Sequence, residues 1–310
     1  MAKKEEFTFL SKDGRTEVHA AAYTPDDGEY RATLQITHGM VEYFGRYEAF
    51  AEFLAGEGFR VVGHDHVGHG DSIVSKDDWG YVGDGPSSIW INDMHTLRTM
   101  CQEEGKPYFM LGHSMGSYLL RQYLSLYGNN LTGAIIMGTG YMPEGTVKLA
   151  MKVAKFQAAF LGWRHRSKLL QKLSYSKPYK RFSLDGSDLK NTWLTKDEEI
   201  ARKYYSDPKC TFIFTVNAYM GLFEAVLDSC STESIARLPK ELPVFLVSGQ
   251  DDPVGDLGVG VKKVYDLYQE AGLNDVTWQL YANDRHEILN ETDREKVYKD
   301  ILSWMNVRIR

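Results

Sequence analysis

The chain of 310 residues contains few cysteines, no surplus of basic residues and no long apolar run. Its three cysteines, Cys101, Cys210 and Cys230, are scattered and form no C-x-x-C pair, which excludes a disulfide framework or a zinc knuckle and indicates a reducing compartment. The net charge of −6 lacks the basic balance of nucleic-acid-binding proteins. No run reaches the ~18 apolar residues of a membrane span, and the amino terminus has no apolar signal segment. These features predict a cytoplasmic protein without a nucleic-acid partner.

The composition that is present is that of an ordinary globular protein, with 43% hydrophobic and 25% charged residues. The chain is long enough for one large α/β domain with an insertion, or for two domains. Strand-like and helix-like segments alternate over residues 1–140, and the alternation resumes over residues 241–310. This order predicts an α/β fold with a mostly parallel central sheet flanked by helices on both faces.

Residues 141–240 break this alternation. They contain three helix-like stretches, which begin near Val147, Leu194 and Asn217, and no convincing strand. A helical insertion between two halves of one sheet predicts a cap, or lid, above the sheet. The alternative is a surface addition whose apolar residues pack in a small core of their own.

The segment GHSMG, residues 112–116, lies between the predicted strand PYFMLG and the predicted helix SYLLRQYL. It fits G-x-S-x-G, the nucleophile elbow, in which the flanking glycines permit a strained turn that lifts the serine hydroxyl clear of the sheet. Because the strand and the helix that this motif requires are both present, Ser114 is the predicted nucleophile. The N–H of Met115, at the start of the helix, is the predicted first donor of an oxyanion hole.

A second oxyanion donor is expected from the loop after the third strand, which reads ITHGMVEYFGRY. Gly39 permits a close approach of the backbone, so the N–H of Met40 is the predicted donor. The alternative is that the pair His38 and Gly39 forms only a turn.

A serine nucleophile needs a base whose pKa is near neutral, which points to histidine. In this type of site the chain order is serine, then carboxylate, then histidine. Only His165 and His286 follow Ser114, and only His286 also follows the acidic stretch DDPVGD. His286 is therefore the predicted base.

The acid is expected on the loop after the strand LPVFLVSG, where Asp251 and Asp252 are adjacent and Asp256 follows. Two consecutive side chains cannot both point at His286. Pro253 favours an extended conformation for Asp252, but the residues alone leave both aspartates open.

A second group of polar residues supports a rival interpretation. The stretch GHDHVGHGDS brings together His64, His66 and His69, and such clusters can bind transition metals. The spacing is similar to the H-x-H-x-D-H run of metallo-β-lactamase-like hydrolases. However, Gly68 stands where that run has its aspartate, and no companion metal motif follows. The sequence therefore favours a site without metal or cofactor.

Taken in order, the stretches HGMVEYFGRY, HDHVGHGDS, GHSMG, GQDDPVG and RHEILNE resemble the monoacylglycerol lipase and lysophospholipase branch of the α/β-hydrolases, nearly end to end. The resemblance implies the α/β-hydrolase fold, an oxyanion donor in the H-G-M segment and a helical cap that admits acyl chains. The family's aspartate follows its strand in a G-x-x-D setting, which selects Asp252. Two departures, Tyr43 where many relatives have histidine and Val67 where arginine often precedes G-H-G, concern the pocket mouth and loop packing.

The predicted protein is a serine hydrolase that cleaves carboxylic esters of acyl lipids, of the monoacylglycerol or lysophospholipid type, through Ser114, His286 and Asp252. A small-molecule ester is its expected partner. The stretch KLAMKVAKFQAAFLGW adds an expected transient contact of the cap with membranes or micelles. A peptidase or amidase on the same fold could use the same triad, and a non-catalytic receptor for a small ligand is a third class.

Overall fold

The structure, a computed structural model, describes residues 2–175 and 177–309. Its strands are β1 (Ala2–Leu10), β2 (Glu17–Pro25), β3 (Ala32–Thr37), β4 (Phe59–His64), β5 (Tyr108–His113), β6 (Gly133–Met137), β7 (Val244–Gly249) and β8 (Val276–Tyr281). Its helices are α1 (Glu48–Gly56), α2 (Pro86–Cys101), α3 (Met115–Tyr127), α4 (Glu144–Leu161), α5 (Lys168–Ser174), α6 (Glu198–Ser206), α7 (Val216–Ser229), α8 (Thr232–Ala236), α9 (Val259–Glu270) and α10 (Arg294–Asn306).

The strands form one sheet in the order β1-β2-β4-β3-β5-β6-β7-β8. β2 runs antiparallel to β1 and β4, and the strands from β4 to β8 in this order are parallel. The carboxyl ends of parallel strands lie at one edge of a sheet, so the loops after β3, β5, β7 and β8 converge there. The predicted mostly parallel α/β architecture is confirmed.

Alternate residues of each central strand point to opposite faces of the sheet and form two apolar layers. In β5, Tyr108 and Met110 belong to one layer, and Phe109 and Leu111 belong to the other. Helices α2, α3 and α9 cover the first layer, and α1 and α10 cover the second. Strands buried on both faces have continuous apolar sequences, and each fully buried large side chain stabilises the fold by ~1.5–3 kcal/mol.

Residues 141–240, which we call the insertion, lie between β6 and β7 and carry α4 to α8. Val147 of α4 and Ala218 of α7 belong to the same apolar layer as Met110 and Ile136 of the sheet. α7 packs against α2 and α3 as well as against α4. The insertion therefore shares its core with the sheet, which differs from the alternative of a separate small core.

The helix-like stretch that begins at Val147 is two helices. Gly162, with φ +81°, ends α4, and the Ser167 side chain accepts the N–H of Leu170 to cap α5. Asp197 caps α6 in the same way, accepting two N–H groups of its first turn. Over the described residues, no helix is both long enough and apolar enough to cross a membrane.

Candidate active site

Ser114 lies at the sharp turn between β5 and α3. Its backbone has φ +54° and ψ −122°, outside the ordinary helix and strand regions, so the turn is strained. Its N–H donates to the carbonyl oxygen of Met137 at 3.0 Å. A Cβ at Gly112 would collide with the backbone of Gly116, and a Cβ at Gly116 would collide with the carbonyl of Thr37. Glycine is therefore required on both sides of the serine, as the elbow motif predicts.

The loop after β3 passes directly beside Ser114. A Cβ at Gly39 would lie 2.9 Å from Ser114 Cβ and 2.5 Å from Glu42 Oε1, so glycine is what allows this approach. Within the described residues, the N–H groups of Met40 and Met115 donate to no protein acceptor. Both residues line the same cavity as Ser114. Two unpaired donors beside a nucleophile can stabilise a negative charge that develops there.

His286 follows β8 on a loop at the carboxyl edge of the sheet. Its Nδ1 lies 3.0 Å from both Oδ1 and Oδ2 of Asp252. The Asp252 carboxylate is buried and also accepts the Ser248 hydroxyl at 3.0 Å and the Val254 N–H at 2.8 Å. Burial has the largest effect and raises the pKa of Asp252, but the charge and hydrogen bond of His286, with these two donors, hold that pKa below its ordinary value. The carboxylate is therefore ionised beside Nδ1.

The neighbouring aspartates lie elsewhere. Asp251 is half-buried, and its backbone N–H donates to the carbonyl of Asp284 at 2.8 Å. Asp256 is exposed and has φ +49°. Within the described part of the chain, Asp252 is the carboxylate that hydrogen-bonds to the His286 ring.

A buried network of charges lies beside the serine and the histidine. Glu42 accepts hydrogen bonds from Tyr47 and from Arg46, both at 2.9 Å. Arg46 makes two further bonds of 2.7 Å with Glu287. Burial opposes each charge, yet Glu287 and Glu42 raise the pKa of Arg46, and Arg46 lowers the pKa of Glu287 below its ordinary value. These groups are therefore held as ions.

His113, the residue before Ser114, joins this network to the loop of the base. Its Nδ1 lies 3.1 Å from Glu42 Oε1, and its Nε2 lies 3.2 Å from the carbonyl oxygen of His286. Burial lowers the pKa of His113, but the Glu42 carboxylate raises it above its ordinary value overall. In the protonated form both ring nitrogens donate, one to Glu42 and one to the His286 carbonyl. His113 thereby ties the serine turn to the loop that carries His286.

No role of this network is predicted from the sequence. A signal was present, because Glu42 and Arg46 are four residues apart in the segment that carries Met40, and Glu287 directly follows His286. Opposite charges beside predicted site residues are candidates for an ion pair.

A cavity of about 850 Å³ opens at Ser114. The part of the cavity wall that comes from outside the insertion includes Met40, Met115 and Val254. The insertion supplies most of the remaining wall. The insertion residues are largely apolar or aromatic, and they include Leu149, Val153, Leu170, Tyr175, Tyr179, Trp193, Phe214 and Phe223. The volume and the lining suit an apolar small molecule.

The three histidines considered as metal ligands pack against one another in the core. The rings of His64 and His66 lie 4.9 Å apart, and those of His66 and His69 lie 6.2 Å apart. Burial lowers the pKa of His64 and of His69 to about 3, so both are neutral near pH 7. Within the described residues, a different group brings its potential metal-ligating atoms within 4.8 Å of one another: His19, Asp65 and Asp71.

The chain is similar to known proteins over most of its length. Residues 28–293 match the family model described as serine aminopeptidase, S33. A monoglyceride lipase homolog of monkeypox virus is 26% identical over 288 residues, covering 90% of this chain and 91% of that protein. The monoacylglycerol lipase of Mycolicibacterium smegmatis is 24% identical over 290 residues, covering 91% of this chain and 90% of that protein.

Among solved structures, a highly thermostable carboxyl esterase from Bacillus coagulans, in complex with glycerol, superposes with a TM-score of 0.87. It is 30% identical, and the match covers 99% of each chain. The α/β-hydrolase fold and the resemblance to monoacylglycerol lipases, both predicted from the sequence motifs, are confirmed.

Proposed function

Because the chain belongs to the serine aminopeptidase S33 family and is a carboxylic ester hydrolase of the α/β-hydrolase fold, we propose that it cleaves esters of acyl lipids through Ser114, His286 and Asp252. One observation carries the proposal. At the same edge of the sheet, a strained serine faces an apolar cavity and two unpaired N–H donors, and a histidine is hydrogen-bonded to a buried carboxylate.

In the proposed mechanism, Ser114 attacks the ester carbonyl while His286 takes its proton at Nε2, the ring nitrogen that Asp252 does not contact. Asp252 holds the tautomer with hydrogen on Nδ1 and stabilises the imidazolium without becoming protonated. The N–H groups of Met40 and Met115 stabilise the oxyanion. The leaving alcohol receives the proton from His286, and water then releases the acid by the same route. No cofactor takes part in this scheme.

Labelling with a fluorophosphonate probe and hydrolysis of p-nitrophenyl esters of increasing chain length test the mechanism. We expect the wild type to react, and Ser114→Ala and His286→Ala to lose both activities. Ser125→Ala is a matched control, because this serine of α3 lies outside the cavity lining and bonds to a carbonyl of its own helix. An unreactive wild-type protein would refute the proposal.

The cavity supports acyl lipids as the substrate class, because its wall is mainly apolar and faces Ser114. Within this proposal, residues 1–140 and 241–310 form the hydrolase core, and residues 141–240 form a cap that admits the acyl chain. A cytoplasmic location fits the three free cysteines. Parallel panels of monoacylglycerols and lysophospholipids would identify the preferred head group, and a preference for short water-soluble esters alone would contradict the substrate class.

A peptidase is the second candidate, favoured by the description of the matching family. An aminopeptidase needs a group that binds the substrate ammonium. Asp185 is the one carboxylate among the described residues that line the cavity, and hydrogen bonds from Ser187 and Ser183 lower its pKa, so it is ionised. Amino-acid p-nitroanilides, assayed with the wild type and with Asp185→Asn, distinguish the two. Cleavage of anilides faster than esters, lost in Asp185→Asn, would favour the peptidase.

The outer surface of α4 and of the turn after it supports contact with a lipid surface. Phe156 is 68% exposed, Phe160 74% and Trp163 45%. Lys152 and Lys155 lie on the same helix, so basic groups accompany the apolar ones. Apolar side chains beside lysines suit the boundary between water and lipid head groups.

The double variant Phe156→Ser and Phe160→Ser tests this contact. We expect it to lose more activity on emulsified than on dissolved esters, because the cavity wall is unchanged. Leu126→Ser, which alters a 53% exposed leucine of α3, is the matched control. Equal losses on both kinds of substrate would count against lipid contact.

A further inference from the structure

The insertion crosses the loop of His286 at residues 190–197, which we call the strap. The carbonyl of Leu194 accepts the N–H of Glu287 at 2.8 Å, and the carbonyl of Trp193 accepts the N–H of His286 at 3.4 Å. The Arg285 guanidinium donates to three strap carbonyls at 2.7 to 3.2 Å. The strap and the histidine loop are thus joined through their backbones.

Trp193 extends this contact to the ring of His286. The indole and the imidazole have centroids 4.9 Å apart and planes inclined by 31°. The same imidazole contacts the ring of His113 at 4.6 Å. Tyr179 and Tyr175, also from the insertion, pack against the indole at 5.4 and 6.5 Å. The orientation of the imidazole is therefore set by one ring of the insertion and one ring of the core, together with the Asp252 carboxylate at Nδ1.

Trp193 is also part of the cavity wall. In serine hydrolases the histidine that takes the serine proton passes it to the leaving group. The leaving alcohol must therefore lie within reach of His286. Since the indole contacts the His286 ring, the cavity space against the indole adjoins the place where the leaving alcohol receives its proton.

We propose that Trp193 is a positioning residue for His286 and forms the wall of the leaving-group subsite, so that it favours esters of a multi-carbon alcohol over esters of a small one. This inference rests on the ester hydrolysis proposed above. A carbon skeleton that covers the indole gains contact in the acylation transition state, whereas methanol is too small to do so. Each CH₂-sized group that leaves water against the indole is worth about fourfold in rate, so the larger skeleton is expected to gain about tenfold over methanol.

The test compares kcat/KM for the glyceryl and methyl esters of one acid, because the acyl group is then constant. We expect the wild type to prefer the glyceryl ester and Trp193→Leu to reduce this preference by about tenfold. Trp193→Phe keeps an aromatic ring and should retain the preference within about threefold. Trp163→Leu removes a tryptophan of the same insertion that does not line the cavity, and with dissolved esters, which involve no lipid surface, it should leave the preference unchanged.

An unchanged preference in Trp193→Leu would overturn the inference, and so would an equal loss in Trp163→Leu, since any disturbance of the insertion would then suffice. Loss of the preference in Trp193→Phe would also contradict it. If Trp193→Leu does not fold, Trp193→Met gives the same comparison. Failure of the wild type to hydrolyse either ester would instead refute the proposed function.

Discussion

Replacement of Asp252 by asparagine should remove most turnover, because the hydrogen bonds around this carboxylate fix how an asparagine would be oriented. The Val254 N–H donates to Oδ1 at 2.8 Å, so asparagine must keep its oxygen there and turn its NH₂ group toward Ser248. Nδ1 of His286 is 3.0 Å from both positions, so the NH₂ donor competes with the oxygen for Nδ1 and populates the tautomer with hydrogen on Nε2, which cannot accept the serine proton. The neutral amide also no longer stabilises the imidazolium. We expect kcat to fall ~10⁴-fold, about 5.5 kcal/mol in the barrier.

Asp251→Asn is the matched control, one residue away. Asp251 is half-buried, and its bond to Asp284 uses the backbone N–H rather than the carboxylate. We expect its kcat to stay within about threefold of the wild type, as for most surface substitutions. Steady-state hydrolysis of a p-nitrophenyl ester measures both variants, with thermal unfolding to verify that each is folded. A larger loss in Asp251→Asn than in Asp252→Asn would refute the assignment and move the acid by one residue.

Three further outcomes are expected. Gly39→Ala places a Cβ 2.9 Å from Ser114 Cβ and 2.5 Å from Glu42 Oε1 and must displace the oxyanion loop, so kcat should fall by ~10²–10³; an unchanged kcat would exclude that loop from the site. Glu287→Gln removes the carboxylate that makes two hydrogen bonds with Arg46, so the free energy of unfolding, measured with urea, should fall by about 3–5 kcal/mol. An unchanged free energy of unfolding would mean that the pair contributes nothing to stability. His64 has a pKa of about 3 in the folded protein and an ordinary value of 6.5, so as the pH falls the unfolded chain takes up this proton first, and the free energy of unfolding decreases between pH 6.5 and pH 3. His64→Phe should reduce the slope of unfolding free energy against pH by about 1.4 kcal/mol per pH unit in this range. A slope identical to that of the wild type would contradict the burial argument.

The features predicted correctly from the sequence are those whose signals are local. The alternation of strands and helices specifies a parallel sheet, and the turn at Ser114 requires glycine on both sides, which GHSMG displays directly. The end of α4 at Gly162 is different, because the helix-like pattern of residues 147–170 does not predict this break. The local sequence does not show whether Asp251 or Asp252 is the acid, because the side chains of two adjacent residues differ only in the direction that the fold gives them. The structure separates them through Ser248, Val254 and His286.

The long-range pairs that close the charged network, and the contact of the strap with the histidine loop, could not be predicted because their partners are distant in the chain. Arg46 and Glu287 are 241 residues apart, and His113 and His286 are 173 apart. No period or spacing connects such pairs. Trp193 was likewise one aromatic residue among many in the insertion, and only the folding of the strap onto the histidine loop places it against the base.

The charge balance around His286 gives the network a consequence for catalysis. Glu42 and Glu287 carry two negative charges and Arg46 carries one positive charge, so these four groups sum to zero when His113 is protonated. A positive His113 ring 4.6 Å from the His286 ring would alone oppose formation of an imidazolium. Its pairing with Glu42 offsets that repulsion. Among the described buried charges around His286, the Asp252 carboxylate is then the one left to favour the protonated base, which is why its removal should cost far more than the loss of a single hydrogen bond.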